Sequence, residues 1–272
     1  TRRLRYTLLL LLKTATLQSQ TADAKTTTPQ KRPCLLYVDP GGWDRSAVEP
    51  ACDQRQCDLV LLHSAPVARN LVSRGRATTD ELCGITVPSP GQELEWAERN
   101  LPDDVELRGG LCGSDGGLAD AERLQDARLP GRSNGINPAR RDKYRMVEAM
   151  RAAGLASAEQ ATPLDWKEAS AFLAMQSYPV VMKPRRGQGS VLVGLARDDE
   201  HARRMYDALR AATVSLDDEV SGALVVQEFL EGEEWIVDTV SADGEHKVLT
   251  LWRYGKGEEN GVPLCYYCDE RV

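Results

Sequence analysis

Pro179-Val-Val-Met-Lys-Pro-Arg-Arg-Gly-Gln-Gly-Ser-Val-Leu-Val193 is the stretch on which the reading of this chain turns. A buried apolar strand, Tyr178 to Pro184, ends on a lysine; a glycine loop, Arg185 to Ser190, follows; the chain returns as a second strand, Val191 to Ala196. Lys183 sets one cation at the mouth of a site. In the loop Gly187-Gln188-Gly189-Ser190, the glycines let backbone N–H groups approach the oxygens of an anion, and Ser190 adds a donor. A Walker A loop is excluded, because G-x-x-x-x-G-K-[ST] is absent and the loop enters a strand rather than a helix. An ordinary hairpin with a basic turn would read the same way, so the neighbouring sequence has to decide.

Upstream, Arg141-Asp142-Lys143-Tyr144-Arg145-Met146 falls near the start of a helix predicted over Ala139 to Ala153, with Gly154 in the usual C-terminal position. Lys143 there is either a second phosphate contact or part of a solvated face. Pro130 to Pro138 reads as a loop and Asp165 to Gln176 as a helix. Downstream, Asp198 to Ala212 is predicted helical and Gly222 to Leu230 a strand. Trp235 to Ser241 and Lys247 to Trp252 are predicted as paired strands joined at Ala242-Asp243-Gly244, where Asp-Gly favours a hairpin. In Val226-Gln227-Glu228-Phe229-Leu230-Glu231-Gly232-Glu233-Glu234 a strand delivers amide and acidic groups to a turn. Gln227 or Glu228 could accept from the amino group of an adenine, and the Leu230 N–H could donate to its ring. A later carboxylate could accept ribose hydroxyls. An acidic hairpin turn is the plainer alternative.

Toward the N-terminus, Cys34 to Asp39, Cys57 to His63 and Gly84 to Val87 read as strands. Helices are expected near 46–55, 66–74 and 91–100, an alternation that predicts a parallel α/β unit over about 33–125. Val105 to Gly117 is glycine-rich but does not fit G-x-G-x-x-G. It is expected to be a tight strand-to-helix turn at a domain edge, with glycine supplying unusual backbone angles, ahead of a helix from Leu118 to Arg128.

The 272 residues carry a net charge of -7, which argues against a general nucleic-acid binder. Residues 1–32 hold seven basic groups and one acid, so the remainder is more acidic still. This leader is rich in Thr, Ser and Gln; it reads as a disordered extension, upstream sequence, or an organellar transit peptide. Its leucine run, Leu8 to Leu12, is too short to span a bilayer, and no other segment reads as membrane-spanning. Seven cysteines without a framework predict reduced thiols and a cytoplasmic setting, or an organelle if the leader is an import signal. Cys265 and Cys268 form a lone C-x-x-C, read as structural or incidental, and His63, His201 and His246 lack ligand spacing.

Taken together, the order and spacing of Arg141 to Met146, Pro179 to Pro184 with Gly187 to Ser190, and Val226 to Glu234 resemble the ATP-grasp superfamily. The resemblance is to carboxylate–amine ligases of the L-amino-acid ligase and carnosine synthase kind. Gly113 to Gly117 and Leu251 to Lys256 are similar to that subgroup as well. It implies an N-terminal Rossmann-like pre-ATP-grasp α/β domain over 33–125, then an incomplete α+β ATP-grasp domain over 126–272. It further implies that Lys143 and Lys183 bind ATP phosphates beneath the Gly187 to Ser190 loop, with Lys256 as a later phosphate contact. Gln227, Glu228, Phe229 and Leu230 would hold adenine, and Glu234 ribose. ATP and Mg²⁺ are the implied cofactors, and small-molecule carboxylates and amines the implied substrates, joined through an acylphosphate; a homodimer is one state found in similar enzymes. The magnesium-binding acids and an asparagine are expected further downstream than Val272, so no metal ligands are expected within this sequence. The sequence is therefore expected to be a fragment or a natural truncation. A carboxylase or nucleotide-synthesis enzyme of the same superfamily, or a non-catalytic nucleotide-binding remnant, is the alternative.

Overall fold

The computed structural model describes residues 31–82, 85–129, 131, 133–187, 189–214, 223–242, 244–259 and 262–272. Gln188, Gly84, Gly222, Asp243 and the leader up to residue 30 lie outside the described residues.

The N-terminal part is a three-stranded parallel sheet in the order β2-β1-β3, from β1 (Arg32–Val38), β2 (Asp58–Leu62) and β3 (Val105–Cys112). Both faces of β1 are covered, which is why its sequence is a continuous apolar run. Leu36 and Val38 pack with Leu62 and with Ala121 and Leu124 of α4 (Leu118–Arg128), while Tyr37 packs on the other side with Cys52 of α1 (Gly42–Gln54) and Leu59. Two further helices, α2 (Ala65–Ser73) and α3 (Glu93–Asn100), complete this part.

Two expectations need correction. The strand expected at 84–87 is reduced to a single bridge between His63 and Thr86. The third strand is instead β3, inside the stretch read as a turn. Gly109 and Gly110 conceal it, since glycine is a poor strand former. They are there for space: a Cβ on Gly110 would lie 2.8 Å from the Gln125 side chain, and one on Gly113 would lie 2.6 Å from the Asp39 carbonyl. None of Gly109, Gly110, Gly113 and Gly117 has a positive φ, so close approach, and not unusual backbone angles, is what requires glycine there.

Polar contacts tie α4 and the turn before it to the next segment. Glu122 accepts from the Asn137 N–H at 3.2 Å and from the Arg140 guanidinium, and Arg141 pairs with Asp115 at 2.8 Å. A 3₁₀ turn (Pro138–Arg140) precedes α5 (Lys143–Ala152). The helix starts later than the expected Ala139, because the fully buried Asp142 caps it, accepting from the Tyr144 and Arg145 N–H groups at 3.1 and 3.2 Å.

The C-terminal part holds two antiparallel sheets. The first, β4-β7-β5-β6, is built from β4 (Gln160–Ala161), β5 (Val180–Pro184), β6 (Gly194–Ala196) and β7 (Leu224–Glu228). Val180, Met182, Leu224 and Val226 are fully buried beneath α6 (Trp166–Leu173) and α7 (Asp199–Val214). Each such side chain contributes about 1.5–3 kcal/mol of burial. The second strand expected from Val191 pairs only from Gly194, since Ser190 and Leu192 still hold positive φ of 56° and 60°.

The second sheet, β8-β9-β10, comprises β8 (Trp235–Ala242), β9 (Glu245–Glu259) and β10 (Val262–Arg271). The predicted β8–β9 hairpin is present, but β9 runs well past Trp252 and pairs with the unpredicted β10. Gly255 and Gly257 masked this extension; a Cβ on either would press on Cys268 or Tyr267 of β10. Among the described residues no helix is long and apolar enough to cross a membrane. Cys34, Cys52, Cys57, Cys112 and Cys268 are free thiols, with burial pushing that of Cys34 up to about 12.

Candidate functional site

A strand alternates its side chains between faces, and β5 and β7 use this to make two surfaces. The face opposite the buried core carries Val181, Lys183 and Gln227 into a cleft of about 1350 Å³. The opposing wall is β9, from Arg253 to Glu258. The loop between β5 and β6 and the turn between β7 and β8 form its rims. Lys143, Lys183, Gly187, Gly189, Ser190, Gln227, Glu228, Phe229, Leu230, Glu234 and Lys256 all line this one cleft. Gln188, the remaining residue singled out from the sequence, lies outside the described residues.

Each lysine arrives from a different element. Lys143 is the first residue of α5, and its Nζ donates to the Gly187 carbonyl at 2.8 Å, so the helix start holds the glycine loop. Its own N–H donates to the Arg185 carbonyl at 2.9 Å, and the Arg185 guanidinium pairs with buried Asp142. Lys183 projects from β5, and its Nζ donates to Gln227 Oε1 at 2.7 Å. Lys256, on β9, pairs with both oxygens of Glu234 at 2.6 and 2.7 Å and sits 4.6 Å from the centre of the Tyr254 ring.

Among the described residues, Lys143 and Lys183 have neutral oxygens as acceptors and no carboxylate at ion-pair distance. Burial pushes the Lys183 ammonium down to about 8, reinforced by Lys143 and Lys256 and partly offset by Glu234. Burial also lowers Lys143, with Arg141 adding to the effect and Asp115 and Asp142 opposing it. Two partly dehydrated cations that repel one another favour an anion in the cleft, because an added anion would relieve both penalties. Gly187 and Gly189 adopt φ of 146° and 61°, a region L side chains avoid, and a Cβ on either would meet no atom within 4 Å. Glycine is used there for backbone freedom facing open space, unlike at Gly110 and Gly113.

The Glu228 carboxylate is engaged at the β4 side of the cleft: its Oε1 accepts from the Glu159 N–H at 2.8 Å. Leu230, by contrast, is 65% exposed on the rim. Sequence reasoning missed Arg253, Tyr254 and Glu258 on the far wall because β9 was read too short. It also missed Gln160, whose two-residue strand carries no periodic signal. Among the described residues, no group of three or more His, Cys, Asp and Glu side chains could hold a metal ion.

Residues 140–259 match the ATP-grasp domain family. Over 157 residues the chain is 32% identical to dapdiamide A synthase of Enterobacter agglomerans, a match covering 57% of this chain and 37% of that protein. Its fold is similar to that of an L-amino acid ligase from Bacillus licheniformis, with a TM-score of 0.56 and 17% identity over 85% of this chain and 52% of that one. It is also similar to the biotin carboxylase domain of Hydrogenobacter thermophilus 2-oxoglutarate carboxylase, solved with MgADP, ADP and bicarbonate. There the TM-score is 0.59 at 18% identity, over 86% of this chain and 52% of that one. The chain thus spans little more than a third of the curated relative and about half of the two solved proteins.

Proposed function

We propose, from the ATP-grasp domain carried by residues 140–259, that this chain supplies the nucleotide cleft of an ATP-dependent carboxylate–amine ligase. Residues 33–125 would form the preceding α/β domain and 126–272 the ATP-grasp part. The observation that carries the reading is the convergence of Lys143 and Lys183 on one cleft, each without a carboxylate partner among the described residues and each lowered by burial. Such cations offer a triphosphate charge neutralisation that bulk water does not, because the local dielectric is low.

In this reading Lys143 and Lys183 hold phosphate oxygens, and Lys256 joins them on release from Glu234. The loop from Gly187 to Ser190 covers the phosphates and excludes water. Gln227, Glu228, Phe229 and Leu230 form the base pocket, and Glu234 meets the ribose. These roles rest on side-chain and backbone groups of the chain itself. The chemistry proposed is transfer of the terminal phosphoryl group to a carboxylate oxygen, with ADP leaving. An amine nitrogen then attacks the acyl carbon, phosphate departs and the nitrogen loses a proton. The amide-forming ligase relatives favour an amino acid or peptide-like substrate. The protein's part is mainly positioning and charge neutralisation.

Binding of a fluorescent ATP analogue to the chain, with and without Mg²⁺, tests this. Lys183→Ala is expected to weaken binding about ten-fold or more, a loss of about 1.4 kcal/mol. An unchanged affinity in that variant, or no binding by a well-folded wild-type chain, would sink the assignment of the cleft.

A further inference from the structure

Alongside the cleft, between β7 and α5, runs a chain of side-chain amides. Gln160 lies directly across from Gln227 in the β4–β7 pairing, and both are buried. Gln160 Nε2 donates to the Tyr144 carbonyl at 2.8 Å and to Glu148 Oε1 at 2.9 Å. Gln227 Nε2 donates to Gln160 Oε1 at 3.3 Å, and Gln227 Oε1 accepts from Lys183 Nζ at 2.7 Å.

The two ends of this chain fix its direction. A backbone carbonyl and a carboxylate only accept, so the amide nitrogen of Gln160 must face α5. Its oxygen must then face Gln227, which turns the amide nitrogen of Gln227 toward Gln160 and its oxygen toward the cleft. Lys183, which only donates, closes the sequence. Flipping either amide would set donor against donor or acceptor against acceptor in a buried place, where an unmade hydrogen bond is costly.

We propose that Gln160 is a positioning residue of the cleft: it locks the Gln227 amide with its oxygen facing inward, and so holds the Lys183 ammonium where an anionic ligand meets it. This rests on the reading of the cleft as an anion site, but the orientation itself is set without any ligand. Gln160 touches no part of the cleft's contents; it acts through Gln227. The charged groups facing Lys183 are Lys143 from α5, Glu234 from the β7–β8 turn and Lys256 from β9.

The test is the pH dependence of Lys183 labelling by an amine-reactive succinimidyl ester, followed by peptide mass spectrometry on the ligand-free chain. In Gln160→Leu the Gln227 amide keeps only its Lys183 contact, so both amide orientations become accessible, Lys183 spends less time with its acceptor, and its titration moves to lower pH. A one-unit shift would speed labelling at pH 7 about five-fold. In a Gln227→Glu background both terminal atoms of residue 227 accept, orientation no longer matters, and Gln160→Leu is expected to leave Lys183 labelling unchanged. Equal acceleration in both backgrounds, or none in either, overturns the proposal, because a general loosening of the sheet would not distinguish them. Gln160→Met, of similar length, repeats the comparison should Gln160→Leu lose its circular-dichroism signal. Affinity for the ATP analogue is measured separately. A chain that shows the labelling difference but binds no nucleotide would keep the relay and discard the ATP assignment.

Discussion

Lys183 answers to two opposing demands. Folding dehydrates its ammonium and lowers its titration to about 8, while an anion in the cleft favours the charged form. The sign of the pH dependence follows. Below pH 8 the lysine is charged with or without ligand, and affinity is flat in this respect. Above 8 the empty cleft loses the proton that the occupied cleft retains, so affinity for the ATP analogue is expected to fall by up to about ten-fold per pH unit. Lys183→Arg, charged throughout, is expected to remove that step; a step that persists in the arginine variant would assign it to another group. The same depression acts on stability. The unfolded chain holds its proton up to the ordinary lysine value, so the cost of burying Lys183 is present in full at neutral pH and is relieved as pH rises above 8. Asp142 is fully buried, caps α5 and is matched by Arg185, so one carboxylate fixes the helix start and, through it, Lys143.

Secondary-structure elements here are joined where glycine permits it, for two different reasons. At Gly113 an added Cβ would lie 2.6 Å from the Asp39 carbonyl and 2.8 Å from the Gly41 nitrogen, both backbone atoms that cannot turn aside. At Gly189 the same atom would meet nothing within 4 Å, and only the φ of 61° resists it. Gly113→Ala is therefore expected to lower the urea midpoint by the equivalent of about 1–3 kcal/mol, as overpacking does. Gly189→Ala is expected to cost about 1 kcal/mol. Equal midpoints for wild type and Gly113→Ala would mean that β1 and the β3–α4 turn separate at little cost. The glycines also explain what the sequence hid. Strands β3 and β9 carry glycine at positions that touch a neighbour, and an alternation rule that looks for large apolar residues passes over them. Regular apolar runs such as Cys34 to Val38 and Val180 to Met182 were legible because nothing interrupts their pattern.

At the scale of the whole molecule, the cleft lies between two sheets that share no strand, the four-stranded β4-β7-β5-β6 sheet and the three-stranded β8-β9-β10 sheet. A ligand touching Lys183 on one and Lys256 on the other would staple them. Nucleotide at about one hundred times its dissociation constant is expected to add about 2.7 kcal/mol of stability. Amide hydrogen exchange is expected to slow in both β5–β7 and β8–β9. Protection confined to one sheet would place the ligand elsewhere.

From the sequence alone came the element types along most of the chain, the similarity to the ATP-grasp family and the residues Lys143, Lys183, Gln227 and Lys256. The element types follow from local patterning, apolar period and glycine punctuation; the similarity follows from the order and spacing of the motifs, and Lys256 stands out only through it. The partners of those residues came only with the tertiary structure. It paired Lys256 with Glu234, turned Glu228 to the Glu159 backbone, and set Gln160 beside Gln227. It also left Lys183 facing an amide rather than a carboxylate. Strand register and burial decide such pairings between residues far apart in the chain, and the charge state of a lysine follows from what those contacts leave around it.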